Sequence, residues 1–116
     1  MVTEGDVIVA QLPQADGGAK SRPVLLLKEL PGFGDFLVCG ISSQLQQAID
    51  GWDLPVPEGT PEFEMSGLKT SSIVRLSYAS ALPRSRMKSR LGRLPTACVV
   101  SLQDRLAAHL KNGHQR

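Results

Sequence analysis

Aromatic side chains are scarce in this chain: Phe33, Phe36, Trp52, Phe63 and Tyr78 are the five rings among 116 residues. So few, and so scattered, they make poor material for a base-stacking platform or for an aromatic-lined groove that binds proline-rich peptides. Cysteine is scarcer still. Cys39 and Cys98 fit neither a metal-ligand spacing nor a disulfide framework. Each sits in an apolar stretch, Phe36-Leu37-Val38-Cys39 and Cys98-Val99-Val100, so buried, unreactive thiols are expected. The two histidines, His109 and His114, have no cysteine or carboxylate cluster nearby, and neither a metal site nor a cofactor is expected. No apolar run approaches the roughly 20 residues that span a bilayer. The start, Met1-Val2-Thr3-Glu4-Gly5-Asp6, lacks a basic flank followed by an apolar stretch, so no secretion signal is expected and the cytoplasm is the default.

What is present is an ordinary globular balance, 41% apolar and 21% charged, in a length suited to one domain over residues 1–116. The charge is unevenly distributed. Residues 1–64 carry ten acidic and three basic side chains, a net −7; residues 65–116 carry one acidic and ten basic, a net +9. The densest basic piece holds Arg84, Arg86, Lys88, Arg90 and Arg93 with no acid between. Such a stretch is either an electrostatic footprint for phosphates or an acidic partner, or a solvated turn whose charges pair with the acidic half. Charge alone leaves both open.

Along the chain, β-branched and apolar residues predict a strand at 6–12, ending at Pro13. A Gly17-Gly18 loop follows over 14–21. The nearly continuous apolar run of 23–28 suits a strand buried on both faces. Pro31 to Asp35 reads as a turn and 36–41 as a third strand, giving a meander. Residues 43–49 read as a short helix or turn. Pro55 and Pro57 confine 52–57 to a sheet edge or rim. Residues 58–66 read as a loop, 72–76 as a strand and 78–82 as another. Val99, Leu102, Leu106 and Leu110 form one apolar stripe of a helix that opens near Pro95 and stops at Gly113. Five to seven strands with one terminal helix describe a mainly β, SH3-like barrel.

Three local patterns then fall in order: Gly5-Asp6-Val7-Ile8 at the first strand, Arg22-Pro23-Val24-Leu25-Leu26 at the second, and Gly40-Ile41-Ser42-Ser43-Gln44 at the end of the third. With Gly67-Leu68-Lys69, Ser72-Ile73-Val74-Arg75-Leu76 and the closing Arg86-Met87-Lys88 to Leu94, taken as a final turn before the helix, the chain resembles the MazF/PemK (Kid) toxins over roughly residues 5–110. The resemblance implies a barrel of the CcdB/MazF type, a homodimer and inhibition by a cognate antitoxin. It also implies metal-independent cleavage of single-stranded RNA such as mRNA, in which the ribose 2′-hydroxyl attacks the adjacent phosphate.

That chemistry needs a base, cations or donors for the phosphorane, and an acid for the leaving oxygen. By the resemblance, Arg22 takes the place of the family's catalytic arginine, and its planar fork suits two phosphate oxygens. Ser42 falls where many members carry threonine. Arg75 matches an arginine of the PemK/Kid branch, in which an aspartate follows two residues later; here that position is Ser77. The branch's loop histidine has no counterpart within 13–21, leaving Asp16, or Asp6, as substitute bases. Lys20, Ser43, Gln44, Arg84, Arg86 and Lys88 are the candidate RNA contacts. The alternative is a binding protein on the same fold: a degenerate toxin that keeps antitoxin or nucleic-acid binding, or a CcdB-like poison of a DNA topoisomerase.

Overall fold

A computed structural model of the chain describes residues 2–13 and 16–112. The expected helix stop at Gly113, His114, and Gln14 and Ala15 of the first loop lie outside that range. Strands β1 (Asp6–Pro13), β2 (Ala19–Glu29) and β3 (Phe36–Ser42) form the expected meander. With β4 (Leu54–Val56), β5 (Ser72–Leu82) and β6 (Met87–Arg93) they build a curled antiparallel sheet ordered β4-β5-β3-β2-β1-β6. The proline-bearing β4 lies at an edge, where a missing N–H costs no ladder bond.

Side chains of a strand alternate between faces, and here both faces are covered. Leu25 and Leu27 join Val7, Cys39, Val74 and Leu76 in one cluster, into which the helix α2 (Thr96–Asn112) sends Val99 and Leu102. Val24 and Leu26 join Ile8, Ala10, Phe36, Val38 and Leu82 in a second cluster on the opposite face. This is why residues 24–27 are apolar without interruption. Of the α2 stripe, Val99 and Leu102 are buried and Leu106 partly so, but Leu110 is exposed because the helix runs past the sheet.

Three expectations change. Residues 58–66 are not all loop: Thr60 caps a short helix α1 (Pro61–Ser66) by accepting from the Phe63 N–H, and Gly67 ends it at φ +73°. Six residues are too few for helical periodicity to register, although the Thr-Pro start and Gly stop are helix punctuation. Residues 72–82 are one strand rather than two. Its register with β3 jumps from Cys39↔Ala79 to Gly40↔Arg75, so Leu76, Ser77 and Tyr78 form a bulge. The basic stretch is not a turn before the helix: a 3-10 turn at Arg84–Arg86 leads into β6, which pairs with β1. The outer edge of β1 has backbone groups that need partners, and this satisfies them despite weak strand propensity.

Candidate functional site

Ala10 faces Arg22 across the β1–β2 ladder, and Val24 faces Gly40 across β2–β3. Continuing that register by two residues sets Arg22 opposite Ser42. Residues paired directly in an antiparallel sheet project to one face, so Arg22, Gly40 and Ser42 share a side. Arg75, opposite Gly40 on β5, shares it too. At this corner lies a cleft of about 580 Å³, whose walls include Arg22, Ser42, Ser43, Gln44, Gln47 and Tyr78. The expected residues Arg22, Ser42, Ser43 and Gln44 thus converge. Lys20 sits two residues before Arg22 on the same face of β2, exposed and farther out.

The Ser42 Oγ accepts from the Gln44 N–H at 3.0 Å, which shapes the turn leaving β3. A hydroxyl has a donor and two acceptor sites, so its hydrogen is left to donate into the cleft. Arg75 lies behind the wall rather than in it, with a side chain only 10% exposed. Its Nη1 donates to Gln47 Oε1 at 2.9 Å, and its guanidinium carbon lies 4.5 Å from the Tyr78 ring centre. Gln47 and Tyr78 are cleft residues, so Arg75 braces the wall from within.

The carboxylate that balances Arg75 is Asp53, a residue without any signal in the sequence beyond an acid between Trp52 and Leu54. Its side chain is fully buried, with Oδ2 3.2 Å from Arg75 Nε. That contact is an ion pair rather than an aligned hydrogen bond, because Nε has no acceptor in line. Asp53 Oδ2 also accepts from the Ile49 N–H at 2.9 Å, and Oδ1 from the Leu76 N–H at 3.0 Å. Arg105 of α2 fixes the same segment, donating to the carbonyls of Trp52 at 3.1 Å and Asp53 at 3.0 Å. Ser77 is also engaged: its Oγ accepts from Trp52 Nε1 at 2.8 Å.

Other expected residues lie elsewhere. Asp16 is exposed and not on the cleft wall; its Oδ1 accepts from the Gly18 N–H at 2.9 Å, as turn aspartates do. Asp6 is buried and fully engaged, with Oδ1 3.2 Å from Arg90 Nε and 3.1 Å from Arg93 Nη1, and Oδ2 accepting from the Thr3 N–H. It anchors β6 to the start of β1, and it does not line the cleft. Part of the basic stretch therefore does pair with the acidic half. Arg84 and Lys88 line a different groove, and Arg86 is exposed beside it.

Among the described residues that line the cleft, Arg22 and Tyr78 are the ionisable ones, and none is a carboxylate or an imidazole. Sequence reasoning overlooked Tyr78, which only the bulge brings over Gly40: a Cβ on Gly40 would sit 3.2 Å from Tyr78 Cβ. Among the described residues, no group of three or more His, Cys, Asp or Glu converges to hold a metal, and no helix is long and apolar enough to cross a membrane. The Cys39 thiol is pushed from 9.0 up to about 12, by burial first and then by the nearby Asp53 charge. Cys98 is half-buried, and its thiol is raised by burial and then by Glu62, with Arg105 opposing.

A curled six-stranded sheet with a helix on one face and an arginine-bearing cleft at a strand corner defines a small mainly β protein of the toxin-barrel class. The chain belongs to the PemK-like, MazF-like toxins of type II toxin–antitoxin systems, whose family model matches residues 3–110. Solved structures share its fold. The Mycobacterium tuberculosis toxin MazF-mt6 is 21% identical with a TM-score of 0.67, covering 91% of this chain and 96% of its own. A MazE-MazF structure from Deinococcus radiodurans is 18% identical with a TM-score of 0.65, covering 95% and 96%. A mycobacterial endoribonuclease in complex with its cognate antitoxin is 17% identical with a TM-score of 0.65, covering 96% of each chain. No curated protein matches the chain by sequence.

Proposed function

We propose that this toxin is an endoribonuclease that cuts single-stranded RNA by attack of a ribose 2′-hydroxyl on the adjacent phosphate, without a metal. The observation that carries the proposal is the meeting of Arg22 and Ser42 at one cleft, with the charge of Arg75 held behind its wall. The Arg22 fork grips the phosphate oxygens as charge builds on them. Ser42 donates its hydroxyl hydrogen to the same phosphate, while Ser43 and Gln44 border the path of the strand. Arg75 acts through Tyr78 and Gln47 rather than by touching RNA. With no carboxylate on the wall, the Tyr78 hydroxyl is the group placed to relay a proton, together with water.

The family and the antitoxin-bound relative support a cognate antitoxin as partner, and a homodimer is what the resemblance implies. The test is cleavage of a long single-stranded RNA in excess chelator by wild type and Arg22→Ala. Cleavage that leaves 5′-hydroxyl ends and falls about 10²- to 10³-fold in the variant is expected, the range for losing one oxyanion donor. A folded wild type that leaves varied RNAs intact sinks catalysis and leaves an antitoxin-binding protein on a toxin fold.

A further inference from the structure

Ala10 pairs with Arg22 on one side and with Met87 on the other. The row Arg22–Ala10–Met87 crosses three adjacent strands on one face, at about 4.8 Å per strand or roughly 10 Å in all. Beyond Met87 lies a second groove of about 360 Å³, with Ile8 and Met87 on its floor and Arg84, Lys88 and Arg90 around it. Arg90 is committed to Asp6. Arg84 and Lys88 are exposed, and among the described residues neither pairs with a carboxylate.

Their placement has structural causes. The β1–β6 register runs Val9↔Ser89 and then Ala10↔Met87, so Lys88 is a one-residue bulge. Bulges bend a strand and re-aim its side chains, which puts Lys88 on the same groove as its neighbour Met87. Arg84 lies over the Phe36 ring at 5.2 Å from its centre. Its guanidinium also lies against Gly34, where a Cβ would be 3.2 Å from Arg84 Nε. The residue before Gly34 is Phe33, 92% exposed and the most open ring of the chain. Each groove thus has an exposed aromatic in its neighbourhood: Tyr78 at the first, Phe33 beside the second.

We infer that the Arg84/Lys88 groove is a second RNA subsite, which binds the strand a few nucleotides away from the phosphate held at Arg22. This rests on the ribonuclease reading of the first cleft and extends it from one phosphate to a strand. Two exposed cations without a carboxylate partner among the described residues, with an exposed ring nearby, suit single-stranded nucleic acid, where charge tracks the backbone. Ala10 between them is buried, but the half-buried Met87 on the same row brings the second groove within reach of a strand held at Arg22, which favours one RNA strand over a separate acidic peptide.

The test measures binding of uniformly 2′-O-methylated RNA, which cannot be cut, at about 12 and about 4 nucleotides, within the span of single-strand site sizes. Wild type is compared with Arg84→Gln/Lys88→Gln, which removes two charges from exposed positions and keeps apolar stems. Wild type should prefer the longer RNA, and in the variant the two lengths should converge. The slope of log affinity against log salt on the longer RNA should become shallower by about 1.4, at 0.7 per lost single-strand phosphate contact. A variant that keeps the wild-type slope and length preference overturns the subsite. So does a variant weakened only for the antitoxin, which would make this a peptide surface. If wild type binds neither RNA, the ribonuclease reading falls with it; if it cuts RNA but shows no length preference, only the subsite falls.

Discussion

Asp53 holds Arg75 from beneath the cleft, its Oδ2 3.2 Å from the guanidinium Nε, with both of its oxygens also accepting backbone N–H groups. Through Arg105 the helix on one face of the sheet grips the segment that carries Asp53. Asp53 in turn positions Arg75, and Arg75 braces Gln47 and Tyr78 on the cleft wall. A contact network thus links α2 to the site although α2 supplies no residue to it.

Removing one member of such a buried pair strands the other charge, at a cost of about 3–5 kcal/mol. Asp53→Ala should lose that much stability in urea unfolding, partly through the two N–H groups left without acceptors. Replacing both partners, Asp53→Leu with Arg75→Met, should recover much of the loss because no charge stays buried. A single-variant cost below about 1 kcal/mol would mean that the pair is not the anchor described here.

Tyr78 is predicted to separate proton transfer from wall structure. Tyr78→Phe keeps the ring over Arg75 and deletes only the hydroxyl. It should lower kcat by about 10²-fold, the lower end for a lost acid–base group, with KM and the urea midpoint little changed. Tyr78→Leu should also destabilise, since the ring covering Arg75 is gone. A Tyr78→Phe loss smaller than about threefold would assign the proton to solvent alone.

Gly40 keeps Tyr78 where it is. An added methyl would lie 3.2 Å from Tyr78 Cβ and 3.4 Å from its Cδ2, closer than side chains normally sit. Gly40→Ala should therefore cost about 1–3 kcal/mol by overpacking and reduce cleavage as Tyr78 shifts. The same change made in a Tyr78→Ala background should cost clearly less, and a double-mutant cycle measures the difference. Equal costs in both backgrounds would rule out the contact as the reason for glycine.

The meander, the edge position of β4 and the terminal helix were legible because each rests on local signals: alternating or continuous apolar runs, prolines and a three-to-four-residue stripe. The Arg22–Ser42 half of the candidate site was legible through its motifs, which lie on neighbouring strands. Asp53 and Tyr78 were not. A lone acid between Trp52 and Leu54 announces nothing until folding brings Arg75 beside it. The position of Tyr78 depends on a bulge, and register is a property of two strands rather than of one sequence window. The basic stretch misled for a related reason. Its charges hid a strand that exists because β1 needs a partner, and they also hid that Arg90 and Arg93 serve Asp6 whereas Arg84 and Lys88 face a groove.

Cys39 supplies a prediction that does not depend on catalysis. Its thiol ionises at about 12 in the folded protein against an ordinary 9.0. Burial disfavours the thiolate, so above pH 9 the unfolded chain releases a proton that the native state retains. Fewer protons bound on unfolding means that stability falls as pH rises. This group's contribution is complete below 9.0 and declines by up to about 1.4 kcal/mol per pH unit until about 12. Cys39→Ala should make the alkaline limb of a stability–pH curve shallower by that amount, even if the cavity lowers the whole curve. Thiol labelling gives a second check at pH 8. Cys98, half-buried, should react before Cys39, and Cys39 should become reactive only as the protein unfolds. Labelling of native Cys39 as fast as Cys98 would show that the sheet opens around β3 far more readily than the full burial of Cys39 implies.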